Sequence, residues 1–213
     1  MERLNLYINK LLDNFPGFIF GISSIIIGLT GDFLAMSLRP GYSILKNMVS
    51  TLGIGPGAIF FNLGIIFSGL IAIPFYIDLG RFVRNDENNY QTLRKTAITC
   101  AIISCVTMAL VGIFPAIQNV SIIIILHYLT ALTSWLTGMI YCTIFSFLML
   151  KNPVFPKFLA YLGFLPGGTI LFLLILVTIP SATTLIPFVE WCMVFTIIFY
   201  ISINSIYMIY KRT

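Results

Sequence analysis

The longest apolar run in this sequence lies at residues 121–149 and reads SIIIILHYLTALTSWLTGMIYCTIFSFLM. It contains no Lys, Arg, Asp or Glu. About 20 predominantly apolar residues suffice for a helix to cross a bilayer, so the run predicts a transmembrane helix. The pattern recurs along the chain and predicts an all-α fold, a six-helix integral membrane bundle that forms one transmembrane domain over residues 1–213. The spans are predicted at residues 15–37, 56–78, 96–115, 121–149, 157–179 and 187–209.

The composition excludes a water-soluble protein. Of the 213 residues, 59% are hydrophobic and only 9% are charged, whereas soluble domains carry about 25% charged residues. The net charge of +5 comes from basic residues scattered singly and in pairs. No basic stripe is present, so the sequence predicts no nucleic-acid partner. Continuous apolar runs also disfavour a β-barrel, because barrel strands alternate over about ten residues.

The basic residues predict the orientation in the membrane. Those on one side are Arg3, Lys10, Arg81, Arg84, Arg94, Lys95, Lys151, Lys157, Lys211 and Arg212. Only Arg39 and Lys46 lie on the other side, between the first two spans. Because cytoplasmic loops are enriched in Lys and Arg, both termini are predicted to be cytoplasmic. The alternative, a cleaved signal peptide at residues 15–37, is disfavoured because the apolar run is longer than a signal sequence needs.

Two amphipathic segments are predicted to form short interfacial helices, at residues 3–14 and 43–53. The apolar positions of the first are Leu4, Tyr7, Ile8, Leu11 and Leu12. Those of the second, spaced i, i+3, i+4 and i+7, are Leu45, Met48, Val49 and Leu52. In the second segment Ser43 is a candidate N-cap and Gly53 a candidate stop. We expect this second helix to cover the outer mouth of the bundle.

Four polar side chains inside the spans are predicted to form an outer-leaflet pocket: Asp32, Asn62, His127 and Glu190. Counted at 1.5 Å per residue from the span ends, all four lie within about 5–10 Å of the same membrane surface. A charged side chain costs about 3 kcal/mol at the centre of a span and usually faces the bundle interior, a partner or a watery cavity. These residues therefore need a structural or functional reason.

The loop between the first two spans supplies further candidates for the pocket. Arg39 and Lys46 are candidate partners of the two carboxylates, as is His127 when it is protonated. Together with Ser50 and Asn62, these two basic residues are predicted to contact a ligand, under a roof formed by residues 43–53.

Three functions remain open from the residues alone. The first is binding of a lipid headgroup or a similar amphiphile in the pocket. The second is a lipid-modifying enzyme, a hydrolase or acyltransferase, in which His127 acts as the base and Asp32 and Glu190 complete the catalytic group. The third is a non-catalytic scaffold whose loop 79–95 recruits a protein partner or anionic lipid. Membrane lipids are the predicted partners, and the oligomeric state is not predicted.

No cofactor is predicted. The single histidine excludes zinc patterns built from several His residues, and phosphate loops and dinucleotide fingerprints are absent from the sequence. One His with two carboxylates nevertheless has the ligand types of a divalent-metal site, so a divalent metal stays open.

Short motifs along the chain resemble those of the six-span membrane family catalogued as domain of unknown function 998. They are Ser50-Thr51-Leu52-Gly53, Pro56, Phe61-Asn62-Leu63-Gly64, Gly112-Ile113-Phe114-Pro115, His127 and Glu190. The resemblance covers nearly the whole chain. It implies a relation to the Frag/DRAM/Sfk superfamily, whose eukaryotic members are associated with GPI-anchor lipid remodelling, phosphoinositide-kinase recruitment and lysosomal autophagy. Thr51 and Trp191 stand where acidic and basic residues, respectively, are common in the family, which implies a pocket poorer in charge.

Overall fold

The computed structural model describes residues 2–84, 90–117 and 120–212, with side chains from Tyr7 onward. Every regular element in these ranges is helical. The α-helices are α1 (Glu2–Asn14), α2 (Gly17–Ser37), α3 (Ala58–Phe82), α4 (Gln91–Ile113), α5 (Ser121–Lys151), α6 (Lys157–Leu176) and α7 (Ile186–Arg212). Helices α2 to α7 are long and apolar enough to cross a membrane. The predicted all-α, six-span fold is confirmed, and the side on which the termini lie stays a prediction.

The six long helices form a ring in chain order. Each packs against the next, from α2 through α7, and α7 returns to pack against α2. Because the connections are short, successive helices run in opposite directions, and the connections alternate between the two ends of the bundle. We call the end with residues 38–57 the loop end and the end with α1 and the last turn of α7 the terminus end. Large apolar side chains such as Ile26, Phe67 and Phe158 are exposed on the outside of the ring, where lipid tails would surround them.

Glycines allow the helices of the ring to approach closely. A Cβ atom added to Gly31 of α2 would lie 2.6 Å from the carbonyl oxygen of Phe60, and one added to Gly64 of α3 would lie 3.0 Å from the Cα of Gly31. A Cβ atom on Gly69 would lie 2.8 Å from the carbonyl oxygen of Cys105 on α4. Small residues at helix contacts are typical of membrane bundles, because packing replaces the hydrophobic effect that lipid cannot supply.

A buried carboxylate joins three helices at the terminus end. Asp78, on the last turns of α3, is only 2% exposed. Its Oδ2 accepts a hydrogen bond of 2.8 Å from the Gly17 N–H at the start of α2. The same oxygen pairs at 2.8 Å with the guanidinium of Arg212 at the end of α7. Nearby, the Arg81 guanidinium donates a hydrogen bond to Asn9 of α1, which docks that amphipathic helix on the bundle.

The segment at residues 43–53 differs from the predicted interfacial helix. Only Val49–Gly53 is helical, as one 3-10 turn, and Met48 just before it has an extended backbone (φ −64°, ψ 148°). Side chains engage the backbone groups that a continuous helix would use internally. The Asn47 side chain accepts the Ser43 N–H at 2.9 Å, and the Tyr42 hydroxyl donates to the carbonyl oxygens of Asn47 and Met48. The amphipathic spacing in this segment therefore reflects burial of Val49 and Leu52 without a regular α-helix.

Candidate functional site

A cavity of about 170 Å³ lies between the six helices of the ring. Its wall is predominantly apolar, and each of α2 to α7 contributes to it. Along α2 the lining runs from Ser24 to Asp32, which is about 12 Å at 1.5 Å per residue. Asp32 and Val49 line the cavity towards the loop end, while Tyr76 and Tyr141 line it towards the terminus end. The cavity is therefore a narrow space along the bundle axis.

Asp32 is the acidic group of this cavity. Its residue is only 7% exposed, and its side chain lines the apolar wall. Throughout residues 2–84, 90–117 and 120–212, no hydrogen bond or ion pair engages its carboxyl group. A buried carboxyl group without a partner is costly in apolar surroundings.

The opposite end and the middle of the cavity carry polar pairs that satisfy each other. The hydroxyl groups of Tyr76 and Tyr141 lie 2.8 Å apart in a hydrogen bond, and their rings pack edge to face with centroids 4.8 Å apart. Between α4 and α5, the Ser104 hydroxyl donates to the Ser134 carbonyl at 3.0 Å, and the Ser134 hydroxyl donates to the Ser104 carbonyl at 3.1 Å. These groups shape the cavity and hold its helices together.

Glu190 anchors the 3-10 turn at the loop end of the cavity. This residue, on the first turns of α7, is 4% exposed, and its carboxyl Oε2 accepts the backbone N–H of Val49 at 2.7 Å. The backbone N–H and the hydroxyl of Ser50 face the same carboxyl group. Since Val49 itself lines the cavity, Glu190 holds the 3-10 turn in place beside it. The 3-10 turn Val49–Gly53 therefore lies at the loop end of the cavity, and its role as the roof of a ligand pocket stays a prediction.

Sequence reasoning missed the aromatic pair that supports this roof. The Trp191 indole N–H donates to the Tyr42 hydroxyl at 3.2 Å, and the rings pack edge to face at 6.4 Å. The pKa of Tyr42 is raised to about 12, chiefly by burial; the Trp191 hydrogen bond opposes this shift, and the nearby Glu190 and Asp32 carboxylates add to it. The Tyr42 hydroxyl therefore stays neutral and can donate to the loop carbonyls. The sequence feature that could have indicated this pair is the position of Trp191 directly after Glu190.

The remaining predicted ligand contacts of the loop end have other partners in the structure. The Arg39 guanidinium donates to the carbonyl oxygens of Thr51 and Ile54, and the Asn62 side chain donates to the Gly53 carbonyl at 3.3 Å. Lys46 is exposed on a separate surface cleft. In the part of the chain that the structure describes, neither Arg39 nor Lys46 forms an ion pair with the two carboxylates. Arg39 and Asn62 therefore hold the roof.

His127 lies apart from the cavity lining. Its Nδ1 is 2.8 Å from the carbonyl oxygen of Phe114, so the ring caps the C-terminal end of α4. Among the described residues, no hydrogen bond joins His127 to Asp32 or Glu190. The structure thus brings Asp32, Asn62 and Glu190 around the roof and leaves His127 at a neighbouring helix end. Its catalytic role stays a prediction without a geometric partner.

The geometry of the described residues provides no site that supports the metal hypothesis or the scaffold hypothesis. Within the described ranges, no group of three or more His, Cys, Asp or Glu residues is placed to hold a metal ion. The proposed recruiting loop at residues 79–95 includes residues 85–89, which lie outside the described residues. Recruitment through this loop therefore stays a prediction.

Comparison with protein families identifies the family to which the chain belongs. The family model described as "Protein of unknown function (DUF998)" matches residues 22–207. The chain is a member of the DUF998 family. The match spans the helical ring, and the residues lining the cavity of this DUF998 protein, from Ser24 to Ile201, all lie inside it. No curated protein and no solved structure matches the chain significantly. The relation of DUF998 to the Frag/DRAM/Sfk superfamily stays a prediction.

Proposed function

We propose that this DUF998 protein binds a membrane-soluble amphiphile in its central cavity. The polar group of the amphiphile meets Asp32, and its apolar part lies between the helices. The observation that carries this proposal is the Asp32 carboxyl group, which is buried at the wall of an apolar cavity and forms no hydrogen bond or ion pair with another described residue. A ligand with a hydrogen-bonding or charged group supplies the hydrogen-bond partner that no described residue provides for Asp32.

The surrounding contacts support Asp32 as the polar contact point for the ligand at the cavity wall, which Asn62 does not line. Glu190, Arg39 and Asn62 already engage backbone groups of residues 49–54. The Ser104–Ser134 pair is likewise satisfied internally. The rest of the wall is apolar, so it accepts a hydrocarbon portion and gives little hold to a large polar headgroup. These contacts support a role of Glu190, Arg39 and Asn62 in holding residues 49–54 and a role of Asp32 in contacting the ligand.

A pair of glycine variants tests the proposal. Gly28 lines the cavity, and a Cβ atom at this position meets only Ser68, at 3.4 Å and beyond, so the Gly28→Leu variant fills the cavity without a backbone clash. Gly168 on α6 is exposed and has nothing within 4 Å of an added Cβ atom, so Gly168→Leu is the matched control on the outside of the ring. Thermal unfolding verifies that both variants remain folded.

The readout is the molecule that stays bound after purification from a total membrane lipid extract and exchange into a non-binding detergent, detected by native mass spectrometry. We expect the unmodified protein and Gly168→Leu to retain one bound amphiphile and Gly28→Leu to retain none. Equal retention by all three proteins, or retention by none of them, contradicts the proposal.

A further inference from the structure

We propose that the ligand is a single-chain aliphatic amine whose ammonium group pairs with Asp32. This inference rests on the proposed function and specifies the chemistry of its ligand. Three features of the cavity carry it: the sign of its charge, its length and its volume.

The sign of the charge excludes anionic headgroups from the site. Among the described residues that line the cavity, Asp32 is the sole carboxylic acid, and none is Lys, Arg or His. The nearby Arg39 guanidinium donates to the carbonyl oxygens of Thr51 and Ile54, and Lys46 lies on the outer surface. A phosphate or carboxylate would therefore stand beside Asp32 without a compensating cation, which is unfavourable in a medium of low polarity.

Binding of an amine also leaves the buried site without a net charge. If the amine enters as the free base, it takes the proton of the Asp32 carboxyl group, and a neutral pair becomes an ammonium–carboxylate pair with no change in net charge. If it enters as the ammonium ion, the Asp32 carboxyl group releases its proton to water, and the resulting pair is again neutral overall. In both cases the hydrogen bond between nitrogen and oxygen is made, and the charge-assisted bond is the stronger kind.

The length and volume of the cavity suit a single chain. From Asp32 the lining continues to Ser24 on α2, and Tyr76 and Tyr141 lie towards the far end. The span from Asp32 to Ser24 is about 12 Å along the helix axis. An extended chain advances about 1.2 Å per bond, as in an extended backbone, so the space suits a chain of about ten bonds. The cavity has a volume of about 170 Å³ and lies between the six helices of the ring, so we take one chain as its occupant.

The test compares three compounds that differ only in the polar group: decylamine, decanol and decanoate. Binding of each is measured by isothermal titration calorimetry to the full protein in phosphatidylcholine nanodiscs, with empty nanodiscs subtracted. A bond to a charged partner contributes about 10- to 100-fold in affinity. We therefore expect decylamine to bind at least about tenfold more tightly than decanol, and decanoate to bind most weakly.

Variants assign the preference to Asp32. The Asp32→Asn variant should lose the preference for decylamine over decanol, whereas Asp32→Glu, which keeps a carboxyl group, should retain it. Gly28→Leu should lose binding of decylamine and decanol, and Gly168→Leu should not. Equal binding of decylamine and decanol that Asp32→Asn leaves unchanged but Gly28→Leu abolishes overturns the amine inference while the proposed function stands. Binding that Gly28→Leu leaves unchanged for all three compounds places them elsewhere and overturns both.

Discussion

The hydrogen bond from Val49 to Glu190 offers a sharp test of the cavity roof. The acceptor residue is 4% exposed, and the N–H to oxygen distance is 2.7 Å. The Glu190→Ala variant removes the acceptor and leaves the buried Val49 N–H unpaired, at a cost of about 1–3 kcal/mol. Since 1.4 kcal/mol corresponds to a factor of ten, local opening of the roof should become about 5- to 150-fold more frequent.

Hydrogen–deuterium exchange of the peptide over residues 45–55 measures this opening. The substituted position lies 141 residues away in sequence from Val49, so intrinsic exchange rates within the peptide do not change. The Glu190→Gln variant is the matched control because it keeps an oxygen acceptor, and we expect it to accelerate exchange by no more than about fivefold. A peptide within α5 should exchange at the same rate in all three proteins. Unchanged exchange in Glu190→Ala, or equal acceleration in both variants, would refute the role of Glu190.

Three other predictions follow from single contacts. The Asp78→Ala variant leaves an N–H at the start of α2 unpaired and should lower the free energy of unfolding by about 1–3 kcal/mol, measured by denaturant unfolding in detergent; an unchanged midpoint contradicts the three-helix junction. Gly64→Val should destabilise the bundle by a similar amount through overpacking against α2, whereas Gly168→Val should not. Because the pKa of Tyr42 is raised to about 12, its support of the roof is complete below pH 10, the unfolded-state value, and is lost as the pH rises through about 12. Trp191 fluorescence should fall over this range in the unmodified protein, and the fall should be smaller in Tyr42→Phe; equal titration in both proteins argues against the contact.

The parts of the fold that depend on local composition were predictable from the sequence. Apolar runs between residues 15 and 209 predicted the six long helices, since a span is defined by length and hydropathy alone. The amphipathic spacing at residues 3–14 predicted α1. The same reasoning was wrong about the extent of the helix at residues 43–53, of which only Val49–Gly53 is helical, because side chains from Tyr42 and Glu190 engage the backbone. The Glu190 contact joins residues 141 positions apart, and no periodic pattern records it.

The candidate site was likewise predictable only in part from the sequence. Cost arguments singled out Asp32 and Glu190 because a carboxyl group inside a span needs a partner or a cavity. They did not distinguish the two residues, since the difference lies in tertiary structure: Glu190 meets a backbone N–H and Asp32 meets an apolar cavity. Equal depth also suggested that His127 joins them, but depth places a residue along the membrane normal and says nothing about which helix it faces. His127 faces the end of α4.

The most direct test of the central claim is an experimental density map of the protein purified in lipid nanodiscs, at a resolution that shows side chains. We predict elongated non-protein density inside the ring, beginning within hydrogen-bonding distance of the Asp32 carboxyl group and extending towards Tyr76 and Tyr141. A cavity filled by rearranged side chains, or a partner for Asp32 supplied by the protein itself, would contradict the claim.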